Sequence, residues 1–308
     1  MRQLVLIAAM LVGFCGAALA APPKVAADIA PVHSLVAEVL GEIGAPALIV
    51  PPAASPHGHN MRPSEAAALN AADLVIWMGP ALTPWLQQAI DNLAGGARSL
   101  VLLDVHGTTL LPYRDDPHFE PEGEAENEAH DHEPGEIDPH AWLDPENARL
   151  WLGAIADILS EIDPENEAAY RANAAAAGEE IAALVAELTN ELTPLGDKPF
   201  IVFHDAYQYF EHRFGLHAIG AISHGDAAPP GPRRISAMRK LIADTGAACV
   251  FAEPQFPSGL VATVTEGTSA EGAVLDPLGV ALQPGPGLYP QMLHELAETL
   301  QSCLDPGG

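Results

Sequence analysis

Residues 163–192 read DPENEAAYRANAAAAGEEIAALVAELTNEL, and this stretch decides the architecture. Pro164 suits the first position of a helix, and Asp163 stands before it as a capping residue. From 165 to 192 the chain is rich in Ala, Glu and Leu, has no interior proline, and carries Gly178 as its one weak point. Such a helix spans on the order of 40 Å at about 1.5 Å per residue. That length suits a rigid strut between two lobes better than a crossover within one sheet.

On both sides of the strut the chain alternates apolar strand runs with helical segments. Upstream, residues 24–29, 47–50, 74–77 and 100–105 read as strands. Helices are expected over 32–40, from a cap at Ser64 to about 70, and over 84–93. Helical pattern resumes at Pro145. Downstream, strands are expected at 200–203, 217–222, 249–252 and 273–275, with helices at 207–213, 233–243, 258–267 and 290–303. The βα rhythm predicts an α/β fold with two lobes, each a mostly parallel sheet flanked by helices, joined by one long rigid helix. The expected divisions are 21–163 for the N-terminal lobe, 164–195 for the linking helix and 196–308 for the C-terminal lobe. Two α/β lobes commonly bind ligand in the cleft between them, beyond the carboxyl ends of their strands.

Residues 115–138 break the rhythm. They contain eleven acidic residues, no Lys or Arg, and the histidines His118, His130 and His132. So little apolar area cannot offset the entropy of ordering, so a disordered acidic loop inserted in the first lobe is expected.

The opening residues carry one charge, Arg2, then an apolar run from Leu4 to Phe14 and the small-residue cleavage pattern Ala18-Leu19-Ala20. These are the parts of a secretory signal peptide over 1–20, and the apolar run is too short to span a bilayer. An exported, periplasmic protein is expected. The formal net charge of −28 argues against nucleic-acid binding, which needs a positive surface, and against docking on anionic lipid. Removal of 1–20 takes Cys15 and leaves Cys249 and Cys303. In an oxidising compartment that pair reads as a disulfide, with two buried free thiols as the rival reading.

Four segments put a metal-capable side chain at a strand end or in the loop just after one. They are Ser55-Pro56-His57, Asp138-Pro139-His140-Ala141-Trp142, Phe203-His204-Asp205-Ala206-Tyr207 and Leu275-Asp276-Pro277-Leu278-Gly279. Three imidazoles and one carboxylate suit zinc, which accepts tetrahedral nitrogen and oxygen ligands. Two segments come from each half, so an ion held by them would lie between the lobes. No local pair resembles H-E-x-x-H or C-x-x-C, so the spacing alone is not a metal motif.

Across these segments, together with Met61-Arg62-Pro63-Ser64, the 72–80 strand region, His204 to Phe210 and Ala252-Glu253-Pro254-Gln255-Phe256, the chain resembles the zinc-binding members of the metal-specific solute-binding proteins of bacterial ABC importers. The resemblance runs through the mature chain in order and includes the acidic insert and both cysteines. It implies His57, His140 and His204 as ligands, with Asp276 as fourth ligand or close neighbour and water as the other candidate for that position. It also implies zinc as transported ligand, a membrane permease as partner, and a monomer without catalysis. Manganese-binding relatives carry a carboxylate where this chain has His204, so a manganese receptor ranks behind a zinc one. Asp205 is a candidate to orient a ligand ring. His59 departs from the family pattern and reads as a spare ligand or a surface residue; with His118, His130 and His132 it forms a possible auxiliary set. The loop from His224 to Pro230 also departs from the usual acidic version. Of other classes, a zinc hydrolase would need a general base that no motif supplies, and a metallochaperone or adhesin-like role would use the same site without a permease.

Overall fold

The computed structural model describes residues 21–114, 137–223, 230–257 and 259–305. The first half runs β1 (Val25–Ala27), α1 (Ala30–Leu40), β2 (Ala47–Leu48), α2 (Pro63–Asn70), β3 (Leu74–Trp77), α3 (Pro84–Leu93) and β4 (Arg98–Val101). These strands form one parallel sheet in the order β2-β1-β3-β4, with Ala26 opposite both Ala47 and Val75 and with Val75 opposite Ser99. Then come α4 (Pro145–Ile162) and, after a 3-10 turn at Pro164–Asn166, α5 (Glu167–Leu192). The second half runs β5 (Phe200–Val202), α6 (Gln208–Phe214), β6 (Ala218–Ala221), α7 (Pro232–Thr245), β7 (Cys249–Ala252), α8 (Gly259–Thr265), β8 (Glu271–Val274) and α9 (Leu288–Leu304). Its sheet is also parallel, in the order β6-β5-β7-β8. The expected α/β class with two helix-flanked parallel sheets is what the chain forms.

The central strands β1, β3, β5 and β7 are buried along their whole length, as a parallel sheet covered on both faces requires. In each sheet the strand order reverses between two of these, β1 and β3 or β5 and β7, and crevices for ligands form at such points. The strut α5 buries Tyr170, Ala174, Ala177, Ile181, Leu184, Leu188 and Leu192, one face at helical spacing. That face packs against α1 and α4 on one side and α9 on the other. Asn173 crosses to α1, where its Nδ2 donates to the carbonyl of Val39 at 3.1 Å. The approach demands glycine at position 41, whose φ is +54° and where a Cβ would lie 2.6 Å from the Asn173 side chain.

Three local expectations change. Ser64 does not cap α2; Pro63 opens the helix, and Glu65 reaches back to accept from the amide of Arg62 at 2.6 Å. Asp163 does not cap a backbone amide at the strut; its carboxylate accepts from Asn166 Nδ2 at 2.7 Å and the Tyr170 hydroxyl at 2.8 Å. β4 starts two residues early and ends at Val101, because its register follows β3, and the apolar residues Leu102 and Leu103 are buried in a 3-10 turn instead.

Cys249 and Cys303 are bonded, joining the start of β7 to the end of α9 across 54 residues; the free-thiol reading falls. Among the described residues no helix is long and apolar enough to cross a membrane. The expected signal peptide and most of the acidic insert, with His118, His130 and His132, lie outside the described residues, as does 224–229 in the divergent loop. The near edge of the insert is ordered: Pro112 and Ile137 form an antiparallel bridge, and Asp138 is buried rather than part of a solvated loop.

Candidate metal centre

His57 and His204 lie beyond the carboxyl ends of strands, and His140 follows the isolated bridge at Ile137. His57 lies in a 3-10 turn, Pro56–Gly58, beyond β2. Trp85 of α3 pins that turn by donating its indole N–H to the Pro56 carbonyl at 2.8 Å. His140 precedes the 3-10 turn Ala141–Leu143. Asp138 Oδ1 accepts from both its backbone N–H, at 2.9 Å, and its ring Nδ1, at 2.6 Å. His204 follows β5 by two residues, and its Nδ1 donates to Glu253 Oε1, just past β7, at 2.7 Å. The His204–Glu253 pair therefore spans the point where the second sheet reverses its strand order.

His57 Nε2 lies 3.3 Å from His140 Nε2, which lies 3.3 Å from His204 Nε2. One ligand atom from each ring falls within 4.8 Å of the others. A carboxylate can only accept, so Asp138 and Glu253 fix the ring protons of His140 and His204 on Nδ1. In the neutral rings both Nε2 atoms then present lone pairs to one another, an arrangement a shared cation stabilises. Zinc–nitrogen bonds of about 2.0–2.1 Å give a tetrahedral edge of about 3.3–3.4 Å, which the observed spacing matches.

His140 and His204 are buried and His57 is half-buried. The cavity they share measures about 20 Å³ and is walled by Trp142, Gln255, Phe256 and Leu278. That is room for about one water. Phe256 sets its ring edge-on to His204 with centroids 5.7 Å apart.

Among the described residues, the remaining sequence candidates do not join this group. Asp276 turns both oxygens to its own loop, accepting from the amides of Leu278 at 3.1 Å and Val280 at 2.5 Å. His59 Nε2 is bonded to Glu65 at 2.8 Å, beside Trp85. Asp205 orients no ligand ring; it is paired with Arg114, which also donates to Glu211. The orienting groups are Asp138 and Glu253. Glu253 went unassigned in the sequence because only the register of β5 beside β7 brings it to His204.

Comparison with known proteins agrees with this geometry. Residues 25–303 match the family model described as "Zinc-uptake complex component A periplasmic". The "High-affinity zinc uptake system protein ZnuA" of Brucella abortus is 43% identical over 99% of this chain and 98% of its own length. The protein of the same description from Paracoccus denitrificans is 42% identical, covering 92% of each. A solved structure described as "Crystal structure of ZnuA" superposes with a TM-score of 0.77 at 24% identity, over 92% of this chain and 100% of that one, a likeness of fold.

Proposed function

The chain belongs to the family of periplasmic zinc-uptake complex component A, and from that premise we propose a high-affinity receptor that captures zinc outside the cytoplasm and delivers it to the permease of an ABC importer. His57, His140 and His204 hold the ion. The observation that carries the reading is the convergence of the three rings, with His140 Nε2 at 3.3 Å from the Nε2 of both His57 and His204 and two of the rings locked by carboxylates.

The fourth position falls to water or to Asp276. Water is favoured because Asp276 is held by two amides of its own loop and does not line the cavity of the three histidines. Zinc outranks manganese here because three imidazole nitrogens suit the borderline ion, whereas manganese favours oxygen ligands. Catalysis is disfavoured because the carboxylates beside the histidines, Asp138 and Glu253, are engaged with the ring Nδ1 atoms of His140 and His204 rather than placed to act as a general base. In this reading residues 1–20 direct export and are removed, and the mature receptor works as a monomer beside its permease.

The test is a titration of the demetallated mature protein with zinc and with manganese against a competing chelator, beside His204→Ala. One tight zinc site that outcompetes manganese and collapses in the variant is the expected result. Equal affinity for the two ions, or a variant that binds zinc as the wild type does, would overturn it.

A further inference from the structure

Gln255 stands two residues beyond Glu253 in the loop that leaves β7, and it lines the cavity shared by the three histidines. Its carboxamide Nε2 and Oε1 are both closed off from solvent, and neither has a hydrogen-bond partner among the described residues. Native folds leave few buried polar groups unsatisfied, and each such group asks for a partner. Here the cavity beside it is the one the three histidines share, so a partner for the carboxamide would sit next to the ion.

We propose that Gln255 holds a single water on the bound zinc as the fourth ligand, and so fixes the coordination number of the site; the inference rests on the three-histidine reading above. A water bound to a cation gives its lone pair to the ion and becomes a stronger donor. Of the two carboxamide groups, Oε1 is the acceptor that meets it. Gln255 is neutral, so it completes the site without adding a carboxylate bond to the ion, and release to a permease requires no anionic ligand to be stripped away.

Cobalt(II) in place of zinc reports the coordination number through its visible bands, independently of transport. The wild-type protein is expected to give the intense bands of a four-coordinate ion, unmoved by added azide. Gln255→Ala enlarges the cavity and frees the water. Its bands should weaken and shift with azide, and its zinc affinity should fall by about tenfold, the loss expected for one hydrogen bond to a polarised group. Gln255→Glu keeps the shape and adds a charge, and should bind zinc more tightly than the wild type. It decides the matter if the alanine variant does not fold. Unchanged cobalt spectra and zinc affinity in the Gln255 variants would overturn the assignment while leaving the three-histidine site standing. His204→Ala in the same titration separates the two: if it still binds cobalt as the wild type does, the site reading falls and this inference with it.

Discussion

Asp28 closes β1 with a carboxyl group that no solvent reaches. Burial pushes its pKa up from 3.8 to about 7, against the pull of the amides of Met78 and Ile29, which donate to its two oxygens. The folded chain therefore keeps a proton on Asp28 that the unfolded chain has released between these two pH values. Stability is undiminished by this group below 3.8 and falls as pH rises toward about 7. Between pH 5 and pH 8 the loss is about 2–3 kcal/mol. Urea unfolding of the metal-free protein should show that slope in the wild type and a flatter one in Asp28→Asn; parallel profiles would refute it. At this scale the sequence was legible where a residue type follows a strand. His57 and His204 could be picked out in that way, whereas the expected strand before His140 is only an isolated bridge at Ile137. Asp276 met the same criterion, yet its oxygens are taken by the amides of its own loop, which no spacing reveals. Glu253 and Gln255 could not be chosen over Asp205, because their role depends on which strand lies beside β5 rather than on sequence distance.

The disulfide ties the amino end of β7 to the last turn of α9. Closing a loop of 54 residues stabilises the fold by about 4 kcal/mol through the entropy of the unfolded chain. Reduction, or Cys303→Ser, is therefore expected to lower Tm by on the order of 10 °C. Calorimetry with and without reductant measures it, and an unchanged Tm would show that the unfolded chain is constrained by other means. The helices and central strands were legible because their periodicities are strong: α3 and β7 fall at the bounds their patterns predict. Element ends were less so. The apolar run of residues 100–105 does not say where the ladder stops, since Leu102 and Leu103 bury as well in a 3-10 turn as in a strand.

Across the whole molecule the two sheets share one apolar core, which runs from β1 and α1 through α5 to β5, β7 and α9. Polar contacts bolt the same seam. Trp142 donates its indole N–H to the Pro277 carbonyl at 2.8 Å, and its own carbonyl accepts from Tyr289 at 2.7 Å. Arg213 clasps Asp144 with two bonds of 2.7 Å, and Tyr209 donates to the carbonyl of Asp138 at 2.8 Å. Wide opening would break all of these, so zinc should enter and leave by local loop shifts. Spin labels at the exposed positions Gln88 and Asp244 should keep their separation to within about 2 Å between metal-free and zinc-bound protein. A larger change would mean a hinge. The return of α9 to α1 bears also on how the molecule comes into being. Ser34 Oγ accepts from the amide of Tyr289 and Glu38 from that of Gly287, and α9 lies against the inner helix of the opposite lobe. A nascent chain that has reached the strut has made all of its first sheet and two of the helices that cover α1, α4 and α5, but not α9. One flank of α1 thus stays uncovered until Leu288–Leu304 has been synthesised, so a helix made early is closed on that side only by one of the last elements made.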